Sequence, residues 1–171
     1  MVDLSDDQIR ELCLAMDTRS SVDCDRAWGQ LRHLGTAVVP YLTDAYHEMS
    51  KWQGRVACVF HLIRYGRSHD EAFQLGIEAL NDRATLVRYR ACMLLAGAQR
   101  TDALPHLQKL LAHADHKTAD DAAAAIDAIE NQNPNWFLDR DHSGKVFWFA
   151  GSVDECVEFV TKPRRPWWKI W

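Results

Sequence analysis

The chain has no excess of basic charge. Its 171 residues carry 20 lysines and arginines against 24 aspartates and glutamates, a net charge of −4 with histidine neutral. A protein that wraps nucleic acid needs a positive face, so this balance argues against a nucleic-acid partner. No stretch approaches the ~20 apolar residues of a membrane-spanning helix. The N-terminus, Met1-Val-Asp-Leu-Ser-Asp-Asp7, is acidic and lacks the positive start and apolar run of a secretory signal. The five cysteines (Cys13, Cys24, Cys58, Cys92 and Cys156) are odd in number and scattered. They fit reduced thiols and a cytoplasmic location better than a disulfide framework. Linear catalytic motifs are missing too: there is no Gly-x-Ser-x-Gly, no P-loop and no Gly-x-Gly-x-x-Gly. The expectation is a protein without catalysis, although acid/base pairs set across a helical groove leave no linear signature.

What the chain does have is a repeat. Thr36-Ala-Val-Val-Pro40-Tyr-Leu42 returns 65 residues later as Thr101-Asp-Ala-Leu-Pro105-His-Leu107. A shorter helical unit lies between the copies, so the period is about half that spacing, the range of stacked helix pairs. Ser5 caps a first helix carrying Ile9, Leu12, Cys13 and Met16 at helical spacing. A second carries Ala27, Trp28, Leu31 and Leu34 and ends at Gly35. Thr36 then caps a third, with Pro40 in its first turn, where the missing N–H is not needed. Trp52 to Tyr65 pairs with Asp70 to Leu80, in a register that Leu75 and Ala79 leave open. Leu86–Ala98 pairs with Asp102–Ala114, and an alanine-rich helix runs from Thr118 to Glu130.

Leu31-Arg-His-Leu-Gly35, Ala37-Val-Val-Pro-Tyr-Leu42 and Ala103-Leu-Pro-His-Leu107 together resemble a HEAT or HEAT-like repeat, over roughly residues 22 to 130. The middle unit departs from the pattern, with no proline matching Pro40. The resemblance implies an all-α solenoid of stacked helix pairs over residues 1–133. Small bacterial proteins of this kind include scaffolds, bilin lyases and immunity proteins. It implies first a protein–protein interaction module without a cofactor, an immunity or inhibitor protein that occludes a toxin's basic patch. A lyase-type enzyme using the solenoid groove is the alternative. The second helix of each pair then lines the binding surface, and Tyr41, Asp44, Glu48, Gln74, Glu78, His106, Lys109 and His113 fall off the apolar stripes as contacts.

From Pro134 the character changes. Trp136-Phe-Leu138 and Val146-Phe-Trp-Phe-Ala150 are aromatic and β-branched around a polar turn, the pattern of a β-hairpin. A short helix over Val153 to Val160 follows, and residues 134–171 together form an aromatic cap on the same domain. Trp167, Trp168 and Trp171 fit either that cap or a partner-binding anchor. Weak membrane association through Arg164, Arg165, Lys169 and the tryptophans is disfavoured, because the prolines there spoil an amphipathic helix. Asp139-x-Asp141-x-Ser143-Gly144 matches the first half of a calcium loop, but Ala150 stands where its bidentate glutamate belongs. A plain polar turn is the simpler reading. Cys58-x-x-His61 and His113-x-x-His116 have helical spacing for paired ligands, yet neither gains a third, and no metal site is expected.

Overall fold

The computed structural model describes residues 4–146. Eight α-helices follow one another among them: α1 (Asp6–Ala15), α2 (Ser21–Leu31), α3 (Val39–Glu48), α4 (Trp52–Leu62), α5 (Asp70–Ala79), α6 (Thr85–Ala98), α7 (Leu104–Leu110) and α8 (His116–Glu130). They pack as consecutive pairs, α1 on α2, α3 on α4, α5 on α6 and α7 on α8. The pairs stack so that α1, α3 and α5 form one row and α4, α6 and α8 another.

Local chemistry explains most boundaries. The Ser5 hydroxyl accepts from the Gln8 amide while the Gln8 side chain accepts from the Ser5 amide, closing a capping box on α1. Pro40 and Pro105 sit in the first turns of α3 and α7. Thr36 does not cap α3: residues Arg32–Val38 form a 3-10 segment broken at Gly35, whose φ of 58° is left-handed. A 3-10 turn over Thr101–Ala103 likewise precedes α7. The α5 register resolves onto Ala72, Phe73, Leu75, Gly76 and Ala79 as the buried set. Helix α6 is buried almost all round, from Val87 to Ala96, because α4, α5 and α8 all lie against it.

The expected β-hairpin is overturned, for the described residues contain no strand. Asn133 caps a 3-10 turn over Pro134–Phe137, accepting from the Asn135 amide. The Phe137 side chain is fully buried with its ring 5.5 Å from Tyr89 of α6. Proline sets the helical φ at the turn's start, and burial of one aromatic decides the rest, overriding the β propensity of the Trp-Phe pair. The second strand, from residue 147 on, and the helix over Val153 to Val160 lie outside the described residues. Arg140 then pairs with the buried carboxylate of Asp121 on α8 at 2.5 Å.

Polar contacts tie each repeat to the next. Asp17 accepts from the Ser50 amide, the Ser50 hydroxyl and the Lys51 amide at 2.7–3.1 Å. Arg55 reaches a carboxylate 27 residues ahead, Asp82, with two nitrogens at 2.6 and 3.2 Å. Arg88 repeats the step at the same offset of 27, reaching Asp115 at 2.8 Å. Gly54 is where this first joint is tightest. A Cβ there would lie 2.9 Å from the Asp17 Cα, backbone that the bonds to Ser50 and Lys51 hold in place. Gly54→Ala should therefore destabilise by a net of about 1–2 kcal/mol, the overpacking penalty exceeding the roughly 1 kcal/mol of helix propensity gained. Urea unfolding checks this, and an unchanged or raised midpoint would contradict it.

Candidate functional site

Helices α3 and α5 lie side by side, and each presents a stripe at i, i+3, i+4 and i+7 to the gap between them. From α3 come Pro40, Thr43, Asp44 and His47; from α5 come Glu71, Gln74, Leu75 and Glu78. Between them is an open groove of about 360 Å³. The proline sets the phase on one side, since it fixes where α3 begins and so which residues recur along its face.

The groove is acidic. Asp44, Glu71 and Glu78 are all exposed carboxylates, and the lining holds neither lysine nor arginine. His47 Nδ1 lies 3.4 Å from Glu78 Oε1, crossing from one helix to the other. The Thr43 hydroxyl is turned back on its own helix, donating to the Pro40 carbonyl at 2.8 Å. Gln74, Asp44 and Glu71 are thus the groups free to meet a ligand, with Glu78 beside His47 and Pro40 as exposed apolar surface. Carboxylates at this spacing favour a cationic group.

Of the residues singled out from sequence, Asp44, Gln74 and Glu78 meet in this groove. The other described ones lie elsewhere. Tyr41 donates to Asp6 Oδ1 at 2.8 Å with Arg10 over its ring, and so ties α1 to α3. Its pKa is raised, chiefly by that hydrogen bond to Asp6. His113 Nδ1 accepts from the Asp115 amide at 3.0 Å, closing the loop before α8. Glu48, His106 and Lys109 are exposed without lining the groove. Trp167 and Trp168 lie outside the described residues. His47 and Glu71 were not anticipated. The signal was present, since His47 stands three residues after Asp44 and Glu71 three before Gln74, on the stripes those two define.

The calcium-loop residues form a closed turn. Asp139 is buried, and its two oxygens accept from the Ser143 hydroxyl at 2.6 Å and the Gly144 amide at 2.7 Å. Those donors, Ser143 first, hold its carboxyl below the usual carboxylate range. Ser143 therefore acts as a donor to Asp139 in this arrangement, and its oxygen accepts from the Lys145 amide. Next to it, His142 stacks on Trp136 at 3.7 Å and meets Asp127 of α8 at 2.6 Å, anchoring the turn to the last helix. Cys58 and His61 are both buried, and no group of three or more His, Cys, Asp or Glu side chains is placed to hold a metal among the described residues. No described helix is long and apolar enough to cross a membrane.

No family model and no curated protein matches the sequence. Among solved structures, human deoxyhypusine hydroxylase in complex with glycerol shares the fold at a TM-score of 0.61 and 18% identity. The match covers 86% of this chain and 49% of that one, so the present chain spans about half the length of its structural neighbour. That neighbour is an enzyme, which removes the ground for expecting a protein without catalysis: the expectation rested on missing linear motifs, and a stacked-helix fold can carry catalysis without them. What the likeness establishes is the architecture, an all-α stack of helix pairs of the HEAT-like kind.

Proposed function

We propose that this is a HEAT-like groove protein whose ligand is a basic segment of another protein, held between α3 and α5. The observation that carries the reading is the facing pair of stripes, which places three carboxylates around a space of about 360 Å³ with no lysine or arginine to neutralise them. A lysine or arginine side chain supplies the missing charge, and its aliphatic stem fits against the exposed Pro40 ring. The two functional classes weighed from sequence share this step. An immunity protein would stop there and occlude its partner. A groove enzyme would go on to chemistry, and two observations favour it: the fold neighbour is an enzyme, and an imidazole and a carboxylate, His47 and Glu78, face each other at 3.4 Å within the same groove.

Fluorescence anisotropy with a labelled Lys/Arg peptide, against an Asp/Glu peptide of equal length, tests the binding step. The basic peptide should bind in preference, more weakly as salt is added. Charge reversal at Glu71→Lys with Glu78→Lys should weaken it about tenfold or more, which is roughly 1.4 kcal/mol. Equal binding of the two peptides would remove the basis for the reading. Mass spectrometry of the recovered basic peptide separates the classes. A covalent change made by the wild type and lost in His47→Gln supports the enzyme, whereas binding with unchanged mass leaves the inhibitor.

A further inference from the structure

A second cavity, of about 170 Å³, lies where the α1–α2 connection meets the start of α4 and shares no residue with the groove. Its size is close to the roughly 150 Å³ of an engineered protein cavity that takes up one benzene ring. Cys24, only 4% exposed, lines it from α2, and Trp52, still 40% exposed for so large an apolar ring, lines it from α4. Burial pushes the Cys24 thiol up to about 12, so this part of the lining is uncharged.

The remaining lining is polar and rich in donors. The Thr18 hydroxyl oxygen accepts from the Ser20 amide at 3.0 Å and the Ser20 oxygen accepts from the Asp23 amide at 3.2 Å. Each hydroxyl therefore keeps its own proton to give. Arg19 also lines the cavity and makes no hydrogen bond or ion pair among the described residues. The acids nearest in sequence are already engaged: Asp23 by Arg26 at 2.9 Å, and Asp17 by Ser50 and Lys51. A guanidinium without a partner among the described residues and two hydroxyl donors share this lining with a neutral thiol and an indole, so the cavity offers donors for an anion and apolar surface for a flat ring.

We propose that this cavity binds a single-ring aromatic carboxylate, its ring against Trp52 and Cys24 and its carboxylate on Arg19 and the Thr18 and Ser20 hydroxyls. The ring gains contact with the exposed indole, and the carboxylate matches the planar fork of the arginine. This site is independent of the α3–α5 groove and stands whether or not the groove binds a basic segment.

The test is fluorine NMR on the full chain with 4-fluorobenzoate, compared with neutral 4-fluorobenzyl alcohol. The acid should show a saturable shift at millimolar concentrations or below and bind more tightly than the alcohol. Arg19→Gln, a change at an exposed side chain, should weaken the acid about tenfold while leaving the alcohol unchanged. Trp52→Ala should weaken both. The proposal is overturned if the acid gives no saturable shift, if acid and alcohol bind equally, or if Arg19→Gln leaves the acid's affinity unchanged. Should Trp52→Ala fail to fold, the Arg19→Gln comparison still decides.

Discussion

The wild-type protein should lose about 2 kcal/mol of stability between pH 6.5 and pH 5, and His61→Phe should abolish most of that loss. His61 lies on α4, 5% exposed, with its ring stacked on Trp28 at 3.7 Å and Phe60 against its edge. Its Nδ1 is buried with no hydrogen-bond partner. Burial first, and Arg64 second, depress its pKa from 6.5 to about 3. The folded ring therefore stays neutral where the unfolded ring takes up a proton. Stability is unaffected above pH 6.5, falls as pH drops below it, and levels off once the folded ring itself protonates near 3. The depressed carboxylates act in a different window. Asp17, Asp82 and Asp102 contribute stability above their unfolded value of 3.8 and lose it only as pH falls through their lower folded values. Asp121, raised by burial, works in the opposite sense, so the comparison that isolates His61 is wild type against His61→Phe. Phenylalanine keeps a ring against Trp28 and removes the proton site. Urea unfolding at several pH values reads the difference, and parallel slopes for the two proteins between pH 6.5 and 5 would rule out His61 as the source.

How much of this was visible in the sequence depends on the range of the interaction. The start of α1 was readable because Ser5 and Gln8 satisfy each other within one turn. The phase of α3 and α7 was readable because proline allows few places in a helix. Where a segment's fate rests on a distant surface, local preference misled. Trp136 and Phe137 favour a strand by type, but the pocket beside Tyr89 takes Phe137 from a 3-10 turn. Helix α6 was legible as a helix over Leu86–Ala98, but its burial on nearly every side was not, since α4, α5 and α8 all come against it. The groove was half visible. Asp44, Gln74 and Glu78 stand off the apolar stripes, but that α3 rather than another helix faces α5 is a fact of stacking, and only that fact brings in His47 and Glu71. Arg55 and Arg88 were the least legible, because they sit among apolar helical neighbours and their partners lie 27 residues away.

Those two arginines carry the largest stability effect we expect. Arg55 is 7% exposed, and Asp82 accepts from it through both oxygens. The same carboxylate takes the Tyr46 hydroxyl at 3.0 Å and the Ala84 amide at 2.8 Å. Burial pushes the Asp82 carboxyl up, but the hydrogen bonds from Arg55, Ala84 and Tyr46 pull harder and hold it below its ordinary range, so it stays ionised in the fold. Arg55→Met leaves that charge buried without its cation, a change that costs about 3–5 kcal/mol. Arg88 is equally buried and also bonds Thr118 at 2.9 Å and the Asp82 carbonyl at 2.7 Å, but Asp115 is 30% exposed and water can replace part of what it loses. Arg88→Met should therefore cost less than Arg55→Met, at about 2–3 kcal/mol. The exposed pair Arg26–Asp23, at 68% and 52% exposure, sets the scale at the other end, and Arg26→Gln should change stability by less than about 0.5 kcal/mol. Urea midpoints for the three variants give the order directly. Because each buried arginine joins one repeat to the next, Arg55→Met and Arg88→Met should also broaden the transition, as coupling between neighbouring repeats weakens. Equal losses for all three variants would mean that the buried pairs do not hold the stack together and that apolar packing between the helices alone sets its stability.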